Sequence, residues 1–252
     1  MMIGTHSKTG SLLLSGLLYI FPLVLSGCSG PEPRGRYNVI LISVDTLRAD
    51  RLGTYGYDRN TSPNIDRWSE GAVVFDAAVA ESSWTLPSHV TMLSGLLPRS
   101  HSTVLPDLRP GASVVSLAEI FAQAGYRTIG LTDGGYLVSA HGFDRGFERF
   151  NSKKSTFDVT LKRATSAIES LGEDDRFFLF LHTYDVHCPY DPAESYREMF
   201  ISEDSEFVET EERCGNPDFN NQNLTEGQVR YLSDSYDASI RELDDRLAHF
   251  ID

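Results

Sequence analysis

Three short runs rich in apolar and β-branched residues limit this chain to one class of architecture. They are residues 37–44 (YNVILISV), 126–132 (YRTIGLT) and 177–181 (FFLFL). A strand that is apolar along its whole length, and not only at alternate positions, needs cover on both faces. Helical signals fall between the runs. Ser62-Pro63 opens a short helix that carries Ile65 and Trp68 and stops at Gly71. Ser116 and Glu119 form a capping box ahead of Leu117, Ile120 and Phe121, and Gly125 closes that helix. Residues 157–171 place Phe157, Leu161, Ala164 and Ile168 on one side of a third helix. Thr225 and Gln228 cap a fourth, over residues 229–251. This rhythm predicts an α/β fold: a doubly wound, mostly parallel sheet with helices on both faces. Residues 73–75 read as a brief strand, 46–60 as a loop and 141–150 as a packed loop. A length of 252 residues suits one such domain.

In open α/β sheets, ligands bind beyond the carboxyl ends of the strands. Asp45 directly follows the first run, which makes it a candidate metal ligand or phosphate-site residue; a turn or capping aspartate is the plainer alternative. The third run leads straight into His182-Thr183-Tyr184-Asp185-Val186-His187. Two imidazoles and a carboxylate at a strand end are a candidate site. The stretch 81–101 (ESSWTLPSHVTMLSGLLPRSH) then supplies a hydroxyl. Pro87 is at home in a first helical turn, so a helix is expected to start near Thr85 or Leu86. Thr85 would sit where free backbone N–H groups and the positive end of the helix dipole meet, which suits an oxyanion. Thr85 as a simple N-cap is the alternative.

A formal charge of -14 argues against nucleic acid as a partner. Residues 203–212 (EDSEFVETEE) read as a solvated acidic loop. Residues 1–27 read as a lipoprotein signal peptide, its closing Leu25-Ser26-Gly27 running straight into Cys28. Cys28 is the expected lipidation site, residues 28–36 a tether, and 37–252 the folded domain. That places the chain in a bacterial cell envelope, held to the membrane and facing the periplasm or the exterior. Cys188 and Cys214 are left either as free thiols or as a disulfide pair.

Taken together, several stretches resemble the sulfatase family of the alkaline phosphatase-like superfamily. They are NVILISVDTLRADRLGTYGY, TSPNIDRWSEGAVVFDAAVA, SSWTLPSHVTMLSGLLPRSH, AGYRTIG, HGFDRGFERF and FLHTYDVHCPYDP, in family order from residue 37 onward. The resemblance implies that Asp45 is the first metal-binding acid and that Thr85 stands at the nucleophile, the formylglycine position. It puts His89 where sulfatases have an arginine, and His187 where a histidine contacts the substrate oxyanion. A divalent metal, calcium, zinc or manganese, is implied, with Asp45 and Thr85 among its ligands. Threonine cannot become formylglycine, because oxidising a secondary alcohol gives a ketone. The Gly-Lys-x-His motif is also replaced, by Gly130-Leu131-Thr132-Asp133. The expectation is therefore a metal-dependent hydrolase or transferase of phosphate or sulfate esters, with phosphate favoured. The family's later metal-binding strand has no counterpart here, so the domain reads as incomplete at its C-terminus. That expectation is for the full-length form, the 252 residues alone being expected to be inactive; the alternative is a truncated, non-catalytic lipoprotein that binds anions or glycans.

Overall fold

The computed structural model describes residues 37–210, Cys214 and residues 223–252. The expected signal peptide, tether and Cys28 lie outside the described residues, as do Glu211 and Glu212 of the acidic run. Four parallel strands form the sheet: β1 (Val39–Val44), β2 (Arg127–Leu131), β3 (Arg149–Asn151) and β4 (Phe177–Thr183). Their order is β1-β4-β2-β3, so the last strand in sequence lies at the centre. All seven residues of β4 are buried. That is what its unbroken apolar run requires.

The helices are α1 (Pro63–Ser69), α2 (Thr85–Ser94), α3 (Pro98–His101), α4 (Leu117–Gln123), α5 (Phe157–Glu169), α6 (Glu194–Phe200) and α7 (Glu226–Ile251). Alternate residues of β4 divide them between the faces. Leu179 and Leu181 join Ile129 and Leu131 in a core with Phe157 and Leu161 of α5 and with Ile240 and Leu243 of α7. Phe178 and Phe180 face the other way, against Leu86, Val90 and Leu93 of α2 and Ala118 of α4. Each of these two fully buried rings contributes roughly 3 kcal/mol. Gly130 makes room for further aromatic packing. A Cβ there would lie 2.8 Å from the Phe150 ring and 3.1 Å from Phe147.

The long acidic helix α7 locks down the loop after β1. Asp237, fully buried, accepts from Arg51 (2.9 Å), Arg59 (2.7 Å) and the Tyr57 hydroxyl (2.5 Å). Asp244 accepts from the backbone N–H groups of Asn64 (2.9 Å) and Ile65 (2.8 Å) at the start of α1. Part of the negative charge is thus internal structure. Cys188 and Cys214 are joined as a disulfide, their Cα atoms 5.7 Å apart.

Residues 73–75 do not form a strand. Val73 is 81% and Phe75 69% exposed, and a three-residue run without a partner holds no ladder. β3 falls at the end of the stretch expected to be a loop. It is an edge strand of three residues, too short to show a pattern. Among the described residues, no helix is long and apolar enough to cross a membrane.

Candidate active site

Asp45 leaves β1 at the carboxyl edge of the sheet and donates its amide to Thr183 O at 3.0 Å. The next residue, Thr46, takes a left-handed conformation (φ 61) and turns the chain sharply away. Its hydroxyl donates to Val186 O at 3.1 Å, tying the ends of β1 and β4 together.

Thr85 is the first residue of α2, and the N-cap is Trp84, so the capping reading of Thr85 does not hold. The Trp84 ring packs edge-on against Tyr136 at 5.2 Å. The Thr85 hydroxyl instead donates to Asp45 Oδ2 at 2.9 Å, across 40 residues of sequence. One turn along α2, buried His89 places Nδ1 2.8 Å from Thr85 O and Nε2 2.8 Å from Ser43 Oγ. A carbonyl only accepts, so Nδ1 carries the hydrogen, and Nε2 accepts from Ser43. Burial, aided by His182, pushes the His89 imidazole down to about 4, which keeps it neutral.

His182 is fully buried within β4, its Nε2 3.4 Å from Asp45 Oδ2. Its Nδ1 is a buried polar atom with no hydrogen-bond partner among the described residues. The rings of His89 and His182 meet edge-on at 5.0 Å. Burial pushes the Asp45 carboxyl up, but hydrogen bonds from His182 and Thr85 outweigh it and hold the group below the usual range. Ligand atoms of Asp45, His89 and His182 all lie within 4.8 Å of one another.

His187 stands apart from that group. Its Nδ1 donates to Cys188 O at 2.5 Å, and it lines a cavity of about 690 Å³ with Tyr184, Asp133 and Lys154. Tyr184 joins the two regions, with its ring edge-on to His182 (4.5 Å) and to His187 (5.3 Å). Burial, followed by the Asp45 carboxylate, raises the Tyr184 phenol above the ordinary tyrosine value, and the Thr85 hydroxyl acts in the opposite sense. Gly135 (φ 60) lies directly against the phenol. A Cβ there would fall 2.6 Å from Oη, so a side chain has no room.

Of the residues singled out from sequence, the fold brings Asp45, Thr85 and His89 together and sets His187 beside the adjoining cavity; Cys28 is outside the described residues. Sequence reasoning put His182 in a candidate strand-end site but assigned no individual role to it, to Tyr184 or to Ser43. The available signal for His182 was a titratable side chain entering a fully apolar run.

A family model described as Sulfatase matches residues 37–252. Arylsulfatase A of Bos taurus is 32% identical over 140 residues, covering 50% of this chain and 28% of that protein. Among solved structures, the zinc complex of the C-terminal periplasmic domain of EcEptC from Escherichia coli matches with a TM-score of 0.59 and 18% identity, over 86% of this chain and 59% of that one. The soluble domain of lipooligosaccharide phosphoethanolamine transferase A from Neisseria meningitidis gives 0.64 and 18%, over 88% and 63%. The chain therefore spans under a third of the curated relative and under two thirds of each solved domain.

Proposed function

The chain belongs to the sulfatase family across residues 37–252, and on that premise we propose a metal-dependent hydrolase or transferase that acts on phosphate esters through a phosphothreonine. The observation that carries this reading is the 2.9 Å hydrogen bond from the Thr85 hydroxyl to Asp45 at the N-terminus of α2. A secondary alcohol at the formylglycine position can attack directly but cannot become an aldehyde hydrate, so sulfate esters fit less well.

The residues present suit a divalent cation. Asp45 with the Thr85 hydroxyl and the imidazole of His182, or of His89 once freed from Ser43, would hold it. Imidazoles beside a carboxylate favour zinc over calcium. A bound cation would supply a lower hydroxyl pKa at Thr85 and neutralise the oxyanion. Thr85 Oγ1 forms the bond to phosphorus, and its proton passes toward Asp45 Oδ2. The ester oxygen departs with its bonding pair and takes a proton from the Tyr184 phenol. Water or an acceptor alcohol then attacks the phosphothreonine and gives its proton to the Tyr184 phenolate, while Thr85 Oγ1 leaves with its bonding pair and takes back the proton from Asp45. His89 fixes the first turn of α2 through the Thr85 carbonyl and so positions the nucleophile. His187 faces the oxygens of the bound ester. The setting is the bacterial cell envelope, with attachment to the membrane through Cys28.

Incubating the full chain with p-nitrophenyl phosphate and quenching in acid should trap one phosphoryl group on the peptide that contains Thr85. Thr85→Ala should lose turnover by about 10³-fold or more while keeping the wild-type circular dichroism spectrum. Turnover retained in Thr85→Ala would sink the assignment. Saturable binding of inorganic phosphate with no turnover in the wild-type chain would favour the other reading, a non-catalytic anion- or glycan-binding lipoprotein.

A further inference from the structure

Where β2 reaches the carboxyl edge of the sheet, the chain turns sharply, and the turn is built around Tyr184. β2 lies beside β4, so residues 132–137 leave the edge next to the residues that follow Thr183. The turn is closed by its own bonds. The Thr132 hydroxyl donates to Leu137 O at 2.7 Å, and the Leu137 amide donates to Gly134 O at 3.0 Å. Gly134 (φ 85) and Gly135 (φ 60) supply the left-handed backbone that this path demands.

Asp133 ties this turn to its surroundings. It is 6% exposed and accepts at both oxygens, Oδ1 from the Thr160 hydroxyl of α5 (2.9 Å) and Oδ2 from the Tyr184 amide (3.3 Å). Thr160 gives its one hydrogen to Asp133, so Ser155 donates to Thr160 (3.1 Å), and Arg163 donates to Ser155 (3.1 Å). The donors run in one direction, from a guanidinium to the carboxylate, and each bond polarises the next. Asp133 is thus braced against α5 while it holds the main chain of Tyr184. Two residues on, Gly135 closes against the phenol. One residue further, the Tyr136 ring meets Trp84, the residue before Thr85. No step of the phosphoryl transfer touches Asp133 itself.

We propose that Asp133 is a positioning residue that sets the Tyr184 phenol against the departing ester oxygen. It closes the segment Gly130-Leu131-Thr132-Asp133, in which the Lys and His of Gly-Lys-x-His are missing. That segment contributes through Tyr184 instead. A buried carboxylate needs donors for its oxygens, and here one donor is the backbone that carries the phenol. A reacting group displaced by about 1 Å loses on the order of 10² in rate, so a tether at the Tyr184 main chain has leverage on the chemistry. This inference rests on the reading of Tyr184 as the proton donor.

The test is kcat of the full chain on ethyl phosphate and on p-nitrophenyl phosphate, whose leaving group needs no proton. Asp133→Ala frees the Tyr184 amide and should slow ethyl phosphate about tenfold or more and p-nitrophenyl phosphate less than about threefold. Asp133→Asn keeps an acceptor for the Tyr184 N–H and donates to Thr160, whose hydroxyl turns to Ser155. It should restore ethyl phosphate turnover to within about threefold of wild type. Thr160→Val removes only the brace and should give the same split, about fivefold on ethyl phosphate, which carries the test if Asp133→Ala does not fold. Asp133→Ala/Tyr184→Phe should match Tyr184→Phe within about twofold. The proposal is overturned if Asp133→Ala slows both substrates alike, if Asp133→Asn loses as much as Asp133→Ala, or if the double variant falls well below Tyr184→Phe. It falls alone where Tyr184→Phe shows the split and neither Asp133→Ala nor Thr160→Val does. Where Tyr184→Phe shows no split, or the wild-type chain turns over neither substrate, the reading of the active site falls and takes the proposal with it.

Discussion

A phenol packed between two imidazoles could be a phenylalanine if packing were its only task. Tyr184 instead has its phenol raised by burial and then by the Asp45 carboxylate, with the Thr85 hydroxyl acting in the opposite sense. If it protonates the departing oxygen, Tyr184→Phe should slow an alkyl phosphate by about 10² or more and p-nitrophenyl phosphate by less than about threefold, since nitrophenolate leaves without a proton. Equal losses on both substrates, read from kcat, would make Tyr184 a packing residue. The pair Asp45 and Thr85 was legible because each follows a strong local signal, the end of an apolar run and a proline in a first helical turn. Their proximity came only from the family resemblance, which makes both ligands of one metal, because local pattern does not reach across 40 residues of sequence. His182 was harder still. Its neighbours in sequence are those of a core strand, and only the register of β1 against β4, which pairs Ser43 with His182, brings it beside Asp45.

Among the elements, the junction between α1 and α7 is the most sharply defined. Helix α1 has no side-chain cap of its own, and two N–H groups of its first turn are taken by Asp244 of α7. Asp244→Ala strands those donors beside a buried gap and should cost about 2–4 kcal/mol in urea unfolding. A loss below about 0.5 kcal/mol would mean that water replaces the carboxylate. Strands β1, β2 and β4 were readable from their apolar and β-branched runs, and both capping boxes from their Ser-x-x-Glu and Thr-x-x-Gln patterns, each present with its reciprocal bonds. β3 and the irregular segment 73–75 were not, for the same physical reason. Three residues carry too little periodicity to tell an edge strand from an exposed turn.

For the whole molecule, a cation that binds only the folded state raises its stability by mass action, about 2.7 kcal/mol at a hundredfold excess over Kd. Zinc at that level should raise the Tm by about 5 °C or more in a domain of this size. Asp45→Asn and His182→Gln should each abolish most of that shift in differential scanning calorimetry. An unchanged shift in both variants would place the zinc elsewhere. The same conformational coupling has an optical side. The chain has two tryptophans, Trp68 in α1 and Trp84 beside Thr85. The edge-on contact of Trp84 with Tyr136 sets the indole at the start of α2, next in sequence to Thr85. With Trp68 replaced by phenylalanine, emission from the remaining indole becomes an intrinsic fluorescence gauge of that site. Arrival and departure of an oxyanion could then be followed in real time, in stopped flow and without a label.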